Sequence, residues 1–410
     1  MTIPMHHPAS GRRPPLWLAA AAVASGWAAL YSFASWILLY LLKLPVHEDV
    51  VMYYAAADVG LRHGWQDIYD QALLSSLSPA VARLVDRHVL FASTPLLAWL
   101  FAPLTAFPEP VAYATWTLLS LAALVLAWHI AAPYKGLAKL TLLLLALGLW
   151  PVLLSFWLGQ PTMFLTVLVA TNWWLCSHER PLAAGAALAL ATFLKPQAVL
   201  LIPVALLVSG RYRVVAGWVA GCGVLGIATV IALGPSGLIG WWHAIEEVQG
   251  LPADTEFTLA HLLGAGPLTY LLWGLQGAMA LTIAWWRRRQ LEIVLAAGLL
   301  GTAATAFYFH EADYSNLVLA GWLVLRTLPP LWHRLWLLIG VLTMQLMDFG
   351  RDALQPVTWH TPQLIWDAGW LGILIISSYP VSRPWHSRLD KRSRRTASQA
   401  RDSGDPGLLT

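Results

Sequence analysis

Charge is what this sequence has least of. Asp, Glu, Lys and Arg make up only 11% of its 410 residues, against roughly a quarter in an ordinary soluble domain. So few charged groups cannot coat a globular surface. With 58% hydrophobic residues and a mean hydropathy of +0.61, the composition describes a polytopic integral membrane protein. Cysteine is nearly absent as well. Cys176 and Cys222 lie within or beside apolar segments without CxxC or Cys/His spacing, which argues against a disulfide framework and against a metal cluster. Strict alternation of apolar and polar residues is also missing, so the spans are helices and not barrel strands. No small-residue cleavage site follows the apolar run 16–42, which is too long for a signal-peptide core and reads as a retained first helix. Nor is a strong internal repeat visible, which counts against an inverted-repeat transporter.

What is present is a succession of apolar runs, each near the ~20 residues that cross hydrocarbon as a helix. The 24 Trp residues often fall near the ends of these runs, as interfacial anchors do; Trp157, Trp241, Trp242 and Trp370 illustrate it. The net charge of +4 does not point to nucleic acid, because the basic residues sit in short loops and in the tail from Arg383 to Arg401. They follow the positive-inside rule. Arg12 and Arg13, Lys135 and Lys139, His178 to Arg180, Arg211 to Arg213, Arg287 to Arg289 and Trp332 to Arg334 then share the cytoplasmic side with that tail. The opposite face receives 44–93, Gly159-Gln160, Lys195-Pro196, 235–262, 310–314 and 348–362. Parity holds only if 90–106 is re-entrant, broken near Pro95 and Pro103.

The expected architecture is therefore an all-α bundle of about twelve transmembrane helices in the cytoplasmic (inner) membrane. Residues 1–15 form a cytoplasmic N-terminus and 16–383 the membrane domain. Within it, 44–106 is an external loop with interfacial and re-entrant helices, and 384–410 is a basic cytoplasmic tail. The segments 181–194 and 197–208 are short for spans and read as a hairpin around Lys195-Pro196. The chain reads as a monomer whose partners are membrane lipid and a membrane-borne substrate.

Most unusual polar residues fall on the external face. His47-Glu48-Asp49 follows the first helix directly. Successive helical residues point about 100° apart, so one carboxylate can face the protein interior while the other meets water. A carboxylate in such a cleft can take a proton from a hydroxyl; the plainer reading is two solvated charges capping the next helix. His310-Glu311-Ala312-Asp313-Tyr314 places four polar groups in five residues, either an ordinary turn or a phosphate contact. It is not a metalloprotease motif, since HExxH would need His where Tyr314 stands. Lys195 departs from the charge rule on this face and calls for an anion: a lipid phosphate, a substrate or a partner carboxylate. Gly159-Gln160-Pro161 puts an amide at a helix junction.

The order of these segments, from His47-Glu48-Asp49-Val50-Val51-Met52-Tyr53-Tyr54, through Gly64 to Asp70, Phe91 to Pro95, Gly159-Gln160, Ala184 to Pro196 with Arg211 to Arg213, to His310 to Tyr314, resembles glycosyltransferase family 87. The similarity covers roughly residues 16–380. That family's aromatic-Pro-Pro is replaced here by Ser93-Thr94-Pro95, an Asn by Thr162, and an Asn/Ser pair by Glu256 to Leu259. The resemblance implies a GT-C membrane fold and an inverting transfer of a sugar, mannose in the best-known members, from a polyprenyl-phosphate donor to a lipid or glycan acceptor. By motif position it implies Asp49 as general base, with Glu48 as the alternative. His310 and Lys195 become candidates for the donor phosphate, and Gln160, Tyr54 and Asp313 for orienting sugar or base. Neither metal nor cofactor is expected, because the leaving phosphate can be met by protein cations. A lipid-linked sugar flippase and a noncatalytic envelope-assembly subunit are the rival readings.

Overall fold

The computed structural model describes residues 14–41, 47–249, 257–347 and 357–377. Among the described residues every regular element is helical. The expected tail 384–410 and residues 1–13 of the N-terminus lie outside them. The first helix, α1 (Leu16–Leu41), is followed by four short ones, α2 (Glu48–Arg62), α3 (Gln71–Leu77), α4 (Pro79–Asp86) and α5 (Pro95–Phe101). Then come α6 (Glu109–Ala131), α7 (Gly136–Leu147), α8 (Trp150–Leu158), α9 (Thr162–Ser177), α10 (Pro181–Leu194) and α11 (Leu201–Val208). The remainder is α12 (Tyr212–Gln249), α13 (Leu259–Leu263), α14 (Pro267–Trp286), α15 (Leu291–Ala304), α16 (Ser315–Arg326), α17 (Leu331–Leu346) and α18 (Val357–Ile376).

Among the described residues four helices, α1, α6, α12 and α14, are long and apolar enough to cross a bilayer, and α7 with α8, bent by 58° at their break, make a fifth if taken as one span. Set beside the expected twelve or so, the other apolar helices are short. The 14 residues of α10 or α15 rise about 21 Å at 1.5 Å per residue, less than the ~30 Å hydrocarbon core. Burial explains how these can be so apolar. Twelve of the residues of α15 are buried, as expected for a helix that is hydrophobic all round, and it packs against α11, α14, α16 and α18 at the centre of the bundle.

Small residues set the closest crossing, between α10 and α12. A Cβ on Gly185 would stand 2.1 Å from the Val214 carbonyl oxygen, and one on Gly217 would stand 2.4 Å from that of Leu182. Backbones this close gain dispersion contact that larger residues would block. The crossing lies in the first half of α10, the helix that ends at Lys195.

Two expectations need correction. The stretch 235–262 is expected as an external loop, yet 235–249 is helical and continues α12. Gly234 alone leaves helical geometry, at φ 59°, ψ −174°, and Pro235 opens the second half, where a missing N–H costs nothing. Trp370, read as an interfacial anchor, is fully buried, and its Nε1 donates to His333 Nε2 at 2.9 Å.

Candidate active site

The polar island is fastened before it can act. His47 adopts the left-handed conformation (φ 59°, ψ 27°) at the start of α2. Its backbone N–H donates to Trp157 O at 2.7 Å, its Nε2 lies 2.8 Å from Glu109 Oε1, and its ring packs on Tyr113 with centroids 4.6 Å apart. Glu48 and Asp49 then occupy the first turn, where the helix dipole favours negative charge. From there they diverge. Glu48 accepts from Arg87 Nη1 at 2.7 Å, with the arginine side chain 58% and the glutamate 17% exposed. Such a pair contributes about 0–1 kcal/mol. Asp49 Oδ2 instead accepts from Gln160 Nε2 at 2.5 Å. The single-residue rotation of a helix separates the two carboxylates.

Gln160 is held by the end of α8. Gly159 sits at φ 80° and both its N–H and that of Gln160 return to Ser155 O, at 3.0 and 2.9 Å, closing the helix with a left-handed residue. Trp116 Nε1 donates to the Gly159 carbonyl at 2.8 Å. An added Cβ at 159 would lie 2.1 Å from Val50 Cγ2. Gly159→Ala should therefore cost about 1–2 kcal/mol for the left-handed backbone and a further ~1–3 kcal/mol for overpacking, read as a lower melting temperature in detergent.

Lys195 ends α10 because Pro196 follows: a residue before proline is pushed out of the helical region, here to φ −157°, ψ 87°. Its ammonium donates to Gln160 Oε1 at 3.0 Å and pairs with Asp313 at 2.7 Å, with the two side chains 9% and 0% exposed. Gln160 thus stands between an acceptor and a donor. A carboxylate can only accept and an ammonium can only donate, so the amide has one workable orientation. Asp313 in turn closes the turn Glu311–Tyr314, where its Oδ2 accepts from His310 N at 3.1 Å while His310 Nδ1 accepts from Ala312 N at 3.4 Å. A chain of contacts runs from Asp49 through Gln160 and Lys195 to Asp313.

Asp49, Gln160 and Lys195 line a cavity of about 420 Å³. Its lining also includes the polar Tyr53, Ser93, Thr94 and Tyr308 and the apolar Leu200, Ile245, Val248 and Phe307. Burial, and after it the Asp49 charge, pushes the Tyr53 phenol well above its ordinary range. It stays a protonated donor. Thr94 opens α5, and its hydroxyl donates to the Phe193 carbonyl beside Lys195. Leu200 and Phe307, which line it, are about half exposed, at 56% and 48%, so the cavity opens at the protein surface.

Not every candidate lines the cavity. Tyr54 points its hydroxyl to Phe107 O at 2.9 Å, while its neighbour Tyr53 faces the cavity in the place expected of it. Glu48, Asp313 and His310 are also outside the cavity wall. Asp313 serves as the buried counterion of Lys195, which meets a partner carboxylate where sequence reasoning also allowed a phosphate.

Trp241 went unnoticed as a site residue. It lines the cavity from the second half of α12, stacks on Tyr69 at 6.0 Å and 16°, and donates from Nε1 to Ala92 O at 3.1 Å. Tyr69 is itself stacked on Phe91 at 5.3 Å. Three rings thus brace one wall. Trp241→Ala is expected to raise KM for a bound substrate with little change in kcat, since the wall makes contacts common to ground and transition states, with Trp241→Phe intermediate in steady-state assays.

The fold and site define a helical membrane protein with a buried carboxylate–amide–ammonium chain beside a cavity lined by both polar and apolar side chains. Residues 91–310 match glycosyltransferase family 87, and the chain belongs to that family. It is a membrane glycosyltransferase. The matched span holds Gln160, Lys195 and His310, whereas Asp49 precedes it and Asp313 follows it. No curated protein and no solved structure matches the chain.

Proposed function

We propose that this enzyme moves a sugar, mannose by family resemblance, from a polyprenyl-phosphate donor to a hydroxyl of a lipid or glycan acceptor, with inversion, on the external face of the cytoplasmic membrane. The observation that carries the reading is the mixed lining of the cavity. It is walled by Asp49, Gln160 and Lys195 together with apolar Leu200, Ile245, Val248 and Phe307, as a ligand with a charged head and a hydrocarbon tail requires. The acceptor oxygen bonds to the anomeric carbon as the bond from that carbon to the phosphate oxygen breaks. The departing electron pair goes to the phosphate, and Asp49 receives the acceptor's proton. Lys195 sits where it can answer the charge that grows on the leaving group, aided by the hydroxyls of Tyr53 and Ser93. Gln160 holds Asp49 for in-line attack. We assign no cofactor, because the donor arrives already activated by its phosphate.

Purified enzyme in proteoliposomes with radiolabelled polyprenyl-phosphate mannose tests this. Expected is release of polyprenyl phosphate matched by label on an acceptor extracted from the envelope. Label that crosses the bilayer with its phosphate linkage intact overturns the assignment in favour of a flippase.

A further inference from the structure

A second cavity, about 200 Å³ and almost wholly apolar, lies between α7, α16, α17 and α18. It belongs to no part of the reaction described above. Along α16 it extends from Leu317 to Leu325, about 12 Å at 1.5 Å per residue. Direction along the bundle matters here. The beginning of α16 follows Asp313 directly and so lies at the active-site end. Its last residue, Arg326, places its guanidinium 4.4 Å from the Trp173 ring near the end of α9 and donates to Ala131 O at the end of α6. The crevice therefore starts beside the candidate site and ends at the opposite, arginine-bearing pole. Arg334 lines that far end. It is exposed, and its Nε donates to Pro329 O at 2.8 Å, which orients the two Nη groups.

Gly321 marks the middle. Glycines on the neighbouring central helices serve close packing: a Cβ on Gly298, Gly301 or Gly340 would fall 3.0, 2.5 or 2.1 Å from its nearest neighbour. A Cβ on Gly321 would meet nothing within 4 Å, and Gly321 lines the crevice. A glycine inside a helix costs about 1 kcal/mol relative to alanine. Here it opens space that no protein atom fills.

We infer that this crevice holds one acyl chain of an anionic glycerophospholipid, with the lipid phosphate on Arg334. Depth, apolar lining and one cation at the mouth suit a chain with a negative head. The polyprenyl-phosphate donor is the wrong occupant, since its phosphate belongs at Lys195, at the other pole.

The test uses the purified full chain in nanodiscs containing phosphatidylglycerol or phosphatidylcholine with a photoactivatable group at the acyl terminus, with mapping of the labelled peptides. Expected is labelling of α16 and α17 stronger from phosphatidylglycerol by about fivefold, the preference one surface arginine contributes. Arg334→Gln should bring the two lipids level while keeping the chain label, and Gly321→Leu should remove the label. Leu338→Trp, which fills the crevice from exposed α17, replaces Gly321→Leu if that variant does not fold. Equal labelling by both lipids in the wild type, or label that survives both filling variants, overturns the inference. Displacement of the label by equimolar polyprenyl phosphate also overturns it and assigns the crevice to the donor.

Discussion

Asp49→Asn is expected to lower sugar transfer by about 10³-fold, within the range that a positioned general base contributes, while leaving the fold intact. The isostere keeps an amide oxygen for the Gln160 Nε2 hydrogen bond now 2.5 Å long; it loses only the ability to take a proton. Glu48→Gln makes the informative comparison. That substitution touches a solvent-screened pair with Arg87 outside the cavity, and transfer should stay near the wild-type rate. Rates of labelled product formation by the two variants, with melting temperatures measured alongside, separate a base from a cap. A fully active, folded Asp49→Asn would remove Asp49 from the chemistry.

Lys195→Met should be the most damaging single change to the structure. It leaves Asp313, with no exposed side chain, as an uncompensated buried carboxylate, at a cost of about 3–5 kcal/mol. Transfer should be lost with it. Folding and chemistry separate in the double variant Lys195→Met/Asp313→Asn, which removes both charges and keeps an oxygen for the His310 N–H. Replacing both members of a buried ion pair is often close to neutral, so melting should return toward wild type while transfer remains absent. Recovery of transfer in the double variant would reduce Lys195 to a structural role. Denaturation in detergent and single-turnover transfer, measured on the same preparations, provide the answer.

The membrane class and the helical fold were legible in composition, because a bilayer leaves few alternatives to a helix. The gathering of the site was legible in part. Asp49, Gln160 and Lys195, 111 and 35 residues apart along the chain, were placed together by the charge rule for loops, which acts over whole segments. Side-chain direction was not legible at that scale. Tyr54 is implicated by motif position alone, which does not fix direction; its neighbour Tyr53 lies one step of about 100° away and is the phenol that lines the cavity. Asp313 has the chemistry of a substrate ligand, and only tertiary packing makes it the partner of Lys195. Trp241 was missed as a site residue because its place near the end of an apolar run reads as an interfacial anchor, and the helix that continues past Gly234 carries it into the aromatic wall.

That kink has a consequence for which changes the chain can tolerate. Bends in membrane helices are commonly attributed to proline, but Pro235 stands where any residue would start a helix without strain. The backbone of Gly234, at φ 59° and ψ −174°, lies in a region that essentially only glycine occupies. The direction of the aromatic wall is thus written in one hydrogen atom, the side chain of residue 234. Position 235 is open to substitution, and position 234 is closed to it.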